Sequence, residues 1–246
     1  MSQPQLNQPD YSIIIPAYNE AEYLGDTLAA LRSAMEAVPW TGEVILCDNN
    51  STDQTAQLAQ AAGALVVFEP LNQIARARNT GARAAQGRFL IFLDADTWVQ
   101  AEHLTAALTR LDSDFAGGGA LVALDQARFD LAFIWNRFSK AAQLVAGCFF
   151  WMRREAFDEL GGFSEAVYAS EEIWFARRLK GWAKQRGLKF GILELPVTTS
   201  NRKAQWFSPW AHLGLVLMLL LFPWAVRYRS LMGFWYDRPK KSLPKR

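Results

Sequence analysis

Asp94 and Asp96 stand one residue apart at the end of Phe89-Leu90-Ile91-Phe92-Leu93, five apolar residues that read as a buried strand. In an open α/β sheet the ligand crevice lies at the carboxyl ends of the strands. Acids placed there are positioned to hold a hard divalent cation and the phosphates it carries. Strict extension would send the two side chains to opposite faces, so both reach one cation only if the chain turns after Leu93. A second reading competes, because Asp96-Thr97 precedes Ala101-Glu102-His103-Leu104, a helix start whose positive end favours an acid.

The elements around this pair follow an alternating rhythm. Ser12-Ile13-Ile14-Ile15 reads as a first strand closed by Pro16, and Glu22 to Val38 carries Leu24, Leu28, Leu31 and Met35 at helical spacing. Val44 to Cys47 is a second strand. Asp48-Asn49-Asn50-Ser51-Thr52-Asp53 is turn and cap chemistry opening an alanine-rich helix to Ala62. Leu65 to Phe68 makes a third strand, Ile74 to Gln86 a helix and Phe89 to Leu93 the fourth strand. This alternation implies an α/β fold with a mainly parallel central sheet and helices on both faces. Beyond the acids, Phe115 to Leu124 reads as a strand interrupted by Gly117-Gly118-Gly119, and Phe129 to Val145 as an aromatic-rich helix. Gly147 to Met152 is a strand, Ser170 to Gln185 a helix, and Phe190 to Leu195 a last strand before Pro196. One domain is expected over residues 10–203, with residues 204–246 as a separate C-terminal segment.

Composition bounds the function. With 51% apolar residues in 246, a large core is available, and a net charge of +2 lacks the concentrated basic excess of a nucleic-acid binder. Cys47 and Cys148 lie in apolar runs without metal-ligand spacing, which points to buried reduced thiols and no zinc site. Residues 1–10 carry neither a basic nor an apolar signal region, so the expected location is the cytoplasm.

Leu213 to Val226 is an apolar stretch broken only by Gly214 and Pro223, shorter than the ~20 residues a membrane span needs. Trp210, Trp224, Tyr228, Trp235 and Tyr236 flank it beside Arg227 and Arg229, a pairing found at membrane interfaces. An amphipathic helical tail lying in the plane of the inner membrane surface is one expectation. A helix buried against the domain or a partner subunit is the other. A solvated tail is the plain reading of the basic residues from Arg227 to Arg246.

Taken together, Ile13-Ile14-Ile15-Pro16-Ala17-Tyr18-Asn19-Glu20, Cys47 to Asp53, Ala77-Arg78-Asn79-Thr80-Gly81, Phe92 to Asp96, Gly161-Gly162-Phe163 and Ser170-Glu171-Glu172 make the chain similar to the family 2 glycosyltransferases with the GT-A fold. Each piece is weak alone; their order and spacing carry the resemblance. It implies a nucleotide-diphosphate sugar donor, with Pro16, Ala17, Tyr18 and Glu20 together with Asp48 and Asn49 around base and ribose. Many relatives have a second aspartate where this chain has Asn49, whose amide oxygen can still accept a uracil proton. The same resemblance makes Asp96 the direct ligand of Mn2+ or Mg2+, with Asp94 nearer the ribose and Ala95 between them. Arg78 would approach the phosphates, although a solvated arginine in an Ala-Arg-Ala-Arg pattern is an equal alternative. Relatives commonly carry Glu-Asp where this chain has Glu171 and Glu172, the second acid acting as base in an inverting displacement. Helix capping is the competing role for both. Thr198 to Lys203 would form a lid over the diphosphate with Arg202 as its cation, or an ordinary polar turn.

The expected function is therefore an inverting, metal-dependent transfer of a sugar to a hydroxyl acceptor, lipid-linked if the tail lies on a membrane. The departures at Asn49 and Glu172 keep open a nucleotide-sugar-binding scaffold or sensor. A nucleotidyltransferase is disfavoured, because Pro16-Ala17-Tyr18-Asn19 replaces the glycine-rich, lysine-bearing loop it would need.

Overall fold

The computed structural model describes residues 8–125, 136–137, 139–140, 143–202, 206, 210, 214–215, 217–218 and 221–236. Ile13 and Ile15 enter one hydrophobic core and Ile14 the other, so strand β1 (Tyr11–Ala17) is buried on both faces. It is followed by α1 (Leu24–Glu36), β2 (Gly42–Asp48), α2 (Thr55–Ala61), β3 (Leu65–Phe68), α3 (Ile74–Ala84) and β4 (Phe89–Leu93). These four strands are parallel, in the order β3-β2-β1-β4. Leu24, Leu28, Leu31 and Ala59 put α1 and α2 on one face, whereas Ala75 and Ala82 put α3 on the other. The sheet thus reverses its winding between β1 and β4, which is where α/β sheets open a crevice.

The rest of the sheet comprises β5 (Thr97–Trp98), β6 (Phe115–Leu124), β7 (Phe149–Arg153) and β8 (Lys189–Thr199), interleaved with α4 (Ala101–Leu111), α5 (Arg154–Leu160) and α6 (Glu171–Gln185). The full order is β3-β2-β1-β4-β7-β6-β8-β5. Strand β7 is antiparallel to both β4 and β6, and β5 to β8, while β6 and β8 pair parallel, so the sheet is mixed and, as expected, parallel in its larger part. Helices cover both faces as expected, with Leu104 and Leu108 of α4 in the first core and Phe175 and Leu179 of α6 in the second.

Three expectations need correction. The glycine triplet does not interrupt β6; it lets β6 sit close to its neighbours. A Cβ at Gly118 would lie 1.8 Å from the Gly191 carbonyl oxygen and 2.6 Å from the Trp151 ring, and the Trp151 indole N–H donates to Gly119 O at 3.0 Å. Pro16 does not close β1: the strand runs to Ala17 against β2, while its pairing with β4 stops at Ile14, so the missing N–H costs no ladder bond there. Similarly β8 passes through Pro196, which sits at the register shift between Ala120 and Val122 of β6.

The expected helix from Phe129 to Val145 lies largely outside the described residues, as do residues 213, 216, 219 and 220 of the stretch from Leu213 to Val226. Among the described residues no helix is long and apolar enough to cross a membrane. The described part of the tail includes 3-10 turns at Pro223–Arg227 and Arg229–Leu231 and a single helical turn, α7 (Gly233–Tyr236). Ala225, Val226, Met232 and Tyr236 pack there on Val167 and Ala169. Cys47 and Cys148 are free and buried, and burial pushes the Cys47 thiol up to about 12.

Candidate active site

Pro16 and Ala17 at the end of β1, Tyr18 and Glu20 after it, Asn49 after β2, and Asp94, Ala95 and Asp96 after β4 line one cleft of about 110 Å³, at the point where the sheet reverses. The chain does turn after Leu93: Thr97 N–H donates to Asp94 O at 3.2 Å, and Thr27 Oγ1 of α1 holds Ala95 O at 2.8 Å. Both acids consequently face the cleft. They do not cap a helix, because α4 begins at Ala101 behind Gln100, whose N–H donates to His103 Nδ1 at 3.0 Å.

Arg202 reaches this turn through strand pairing. Thr97 and Trp98 of β5 pair antiparallel with Thr199 and Thr198, so those threonines end β8 and do not belong to a lid. The pairing delivers Ser200, whose N–H donates to Asp96 O at 3.0 Å and whose hydroxyl donates to Asp96 Oδ2. Two residues on, Arg202 Nη2 lies 2.8 Å from Glu20 Oε1 and 3.0 Å from Asp96 Oδ2, and Nη1 donates to Glu20 Oε2. Arg202 is 8% exposed, and its guanidinium stacks near Tyr23 and Trp206, 5.1 and 5.5 Å from their ring centres. Burial works against its charge, but Asp96 and Glu20 outweigh that and hold its pKa above the ordinary arginine value. Its Nε has no hydrogen-bond partner among the described residues.

Arg78 of α3 is 2% exposed, which excludes the solvated alternative. Its guanidinium lies behind the cleft wall, with Nη2 3.1 Å from Asp94 Oδ1 and 3.0 Å from Gly147 O, and Nη1 on Glu171 Oε1. It therefore orients Asp94 from behind. Glu171, 2% exposed, is engaged by Arg78 in a buried ion pair. Glu172 differs: it has no ion-pair partner among the described residues and keeps part of its surface accessible. Crowding by the surrounding protein, and then the charge of Glu171, push its carboxyl up to about 8 against the opposing pull of Arg78. Ser170, with φ 61°, makes the sharp entry into α6 that sets both acids on its first turn.

Asn49 has a structural task that the sequence does not announce. Its Nδ2 donates to Glu69 O at 3.0 Å and Leu71 O at 2.6 Å, and its Oδ1 accepts Gln73 N–H at 2.9 Å. The amide thus braces the 69–73 loop, leaving one Oδ1 lone pair. Asp48 is buried beside it, its carboxylate accepting Ser51 N–H at 3.0 Å, and does not line the cleft.

Sequence reasoning missed Asn72, Ile74, Trp206 and Tyr236, which complete the cleft wall. Asn72 donates to Asn49 O at 3.1 Å. Tyr236 donates its hydroxyl to Tyr168 O at 3.0 Å, linking the tail to the loop before Glu171. The clustering of aromatic residues in the tail was the available signal for Trp206 and Tyr236, but it reads equally as a membrane pattern.

Among the described residues no three His, Cys, Asp or Glu side chains cluster as a metal cage. The oxygen-only pair Asp94 and Asp96 fits a hard cation that takes its remaining ligands from phosphates and water, the usual way Mg2+ is held.

Known proteins share this architecture. The succinoglycan biosynthesis protein ExoO of Rhizobium meliloti (strain 1021) is 31% identical over 130 residues, 51% of this chain and 35% of that protein. The chain spans well under half the length of the curated relatives it matches first. Among solved structures, the mannosyltransferase PcManGT from Pyrobaculum calidifontis in complex with GDP-Man and Mn2+ superposes with a TM-score of 0.66 at 20% identity, covering 92% of this chain and 65% of that one. Glucosyl-3-phosphoglycerate synthase from Mycobacterium tuberculosis in complex with Mn2+, UDP-glucose and phosphoglyceric acid gives 0.62 at 17% identity, covering 92% and 78%. These likenesses show the GT-A fold. Residues 12–161, more than half of the chain and the part that carries β1, Asn49, Arg78 and the Asp94–Asp96 turn, match the model of glycosyl transferase family 2, and the chain belongs to that family.

Proposed function

We propose that the protein is an inverting glycosyltransferase that moves a sugar from a nucleoside diphosphate sugar to a hydroxyl acceptor, with Mn2+ or Mg2+ at the Asp94–Asp96 turn. The observation that supports it most is the convergence of that turn, Arg202 and the loops after β1 and β2 on one cleft at the switch point of the sheet. Tyr18 offers an aromatic face to the base, and Asn49 and Asn72 line the same cleft. Asp96 and Asp94 hold the cation, Arg78 reaches the donor only through Asp94, and Arg202 faces the diphosphate. Bound there, the cation offsets the charge that grows on the departing nucleoside diphosphate. Glu172 takes the acceptor proton.

A panel of UDP-, GDP-, dTDP- and CDP-sugars tests this reading by thermal shift with Mn2+, followed by assay of donor hydrolysis. One donor class is expected to stabilise the fold and to be hydrolysed slowly without acceptor. Stabilisation with no turnover under any acceptor would leave a nucleotide-sugar-binding protein and overturn the transferase.

The acceptor side of the proposal is a membrane surface. Ala225, Val226 and Met232 face the domain, while Leu221, Phe222, Trp224, Tyr228 and Leu231 are exposed beside exposed Arg227 and Arg229. Apolar and aromatic side chains flanked by cations match an anionic bilayer. Tyr168 N–H donates to Val226 O at 2.6 Å, so this surface is tied to the loop that leads into Glu172. The full chain is expected to sediment with vesicles containing phosphatidylglycerol and much less with phosphatidylcholine alone. Combined replacement of Leu221, Trp224 and Tyr228 by serine is expected to abolish that binding. Undiminished binding by that variant would refute the docking surface.

A further inference from the structure

Arg202 is held by two acids at once. A buried guanidinium clamps Glu20 through both carboxylate oxygens and also occupies Asp96 Oδ2 at 3.0 Å, the acid assigned to the cation. Ser200 holds the same oxygen from the other side. Meanwhile Arg202 Nε, equally buried, lacks an acceptor among the described residues. The clamp is therefore tight yet incompletely satisfied, and a planar guanidinium finds a better-matched set of acceptors on a diphosphate.

Charge decides how ligands can enter. Glu20 and Asp96 outnumber Arg202 by one negative charge. A divalent cation alone would shift the site by two positive charges and press against the guanidinium. A donor diphosphate alone would shift it by two negative charges. Together they leave the total unchanged, the cation taking Asp96 and the diphosphate taking Arg202.

We infer that Arg202 is a resident counter-ion that sets the order of ligand entry: it occupies Asp96 until the donor's diphosphate draws it away, so that metal and donor enter together. The inference rests on the proposed metal and donor site, and it makes Arg202 a positioning residue for the metal ligand as well as a contact to the diphosphate. It acts by differential affinity, since only a ligand that binds better with Arg202 displaced can shift the arginine. The resulting coupling is reciprocal: nucleotide tightens metal by the factor by which metal tightens nucleotide, commonly about 5- to 150-fold.

Chelation of a cation by phosphate also couples the two ligands, so the discriminating measurement is Mn2+ affinity without nucleotide. Free Mn2+ is followed by electron paramagnetic resonance during titration of the full chain, alone and with UDP or GDP. The wild type is expected to bind Mn2+ weakly alone and far more tightly with nucleotide. Arg202→Met is expected to tighten nucleotide-free Mn2+ binding by about tenfold, within the usual range of such couplings, while weakening nucleotide binding at saturating Mn2+. The double variant Glu20→Gln/Arg202→Met guards against misfolding and against a simple field effect, because it removes one charge of each sign; it too is expected to bind nucleotide-free Mn2+ more tightly than the wild type. Unchanged or weaker nucleotide-free Mn2+ binding in the double variant, with Mn2+ and nucleotide still binding the wild type, would overturn the entry order alone. Failure of the wild type to bind Mn2+ under any of these conditions would overturn the metal site on which the inference rests.

Discussion

Replacing Glu172 with glutamine is expected to lower turnover by about 10²- to 10⁴-fold while leaving donor affinity near that of the wild type. The split between rate and binding follows from placement. Glu172 lies on the first turn of α6, outside the wall of the donor cleft, and the ion pair that ties this helix to Asp94 runs through Glu171 and Arg78 instead. Glutamine keeps the shape of the side chain but cannot take a proton. Loss of donor binding with an unchanged turnover number would assign the residue to the donor and remove it as the base.

The same carboxyl predicts a pH signature with a definite sign. A base works only when deprotonated, and the surrounding protein and Glu171 raise Glu172 to about 8 in the ligand-free protein. The plot of kcat/KM against pH, which reports free-enzyme ionisations, is therefore expected to climb through about 8, and Glu172→Gln is expected to lose that limb. Stability runs the other way. Because the folded value lies above the ordinary 4.5, this group stabilises the fold fully below that value and loses its contribution as pH rises to about 8. At pH 9 the glutamine variant should accordingly unfold at the higher temperature of the two, and at pH 4 the difference should vanish.

What the sequence disclosed was what short-range pattern can carry. The runs at Ile13 to Ile15 and Phe89 to Leu93, the helical spacing of Leu24, Leu28 and Leu31, and the acids at 94 and 96 are local signals, and each sits where the pattern put it. The Asp94–Asp96 turn was legible because two acids directly after a buried strand must go somewhere polar. Contacts that depend on strand order were not. Arg202 meets Asp96 only because β8 continues through Pro196 to pair with the two residues of β5, and a proline followed by polar residues reads as the end of a strand. The antiparallel β7 was illegible for a related reason: an apolar strand carries no mark of its direction. The glycines of β6 were seen but misread, since their purpose is the Trp151 ring and the Gly191 carbonyl on strands they meet only in the folded sheet. Arg78 and Asn49 show the same limit in side chains. Their residue types fit a ligand contact, yet the fold commits Arg78 to Glu171 and Asp94, and the amide of Asn49 to the 69–73 loop.

Asp96→Ala is expected to abolish metal-dependent nucleotide binding altogether. In the wild type, a nucleoside diphosphate with Mn2+ at 100 times its dissociation constant would raise stability by about 2.7 kcal/mol, and the variant should show none of that shift. The loss should not come from unfolding, because Arg202 retains both oxygens of Glu20 when Asp96 is removed, and Ser200 N–H still bonds to the backbone oxygen of residue 96. Asp94→Ala provides the contrast. Its removal takes one carboxylate from buried Arg78 but leaves Glu171 and Gly147 O, so the guanidinium keeps partners and the cation keeps Asp96. That variant should weaken Mn2+ and nucleotide together without eliminating either. Thermal shift and calorimetric titration of both variants, with and without Mn2+, separate the two roles. Undiminished Mn2+-dependent stabilisation in Asp96→Ala would place the cation away from the turn after β4. The donor would then have to be held by Arg202 and the strand-end loops alone, a different chemistry in which the guanidinium on Glu20 is the permanent counter-charge of the leaving group.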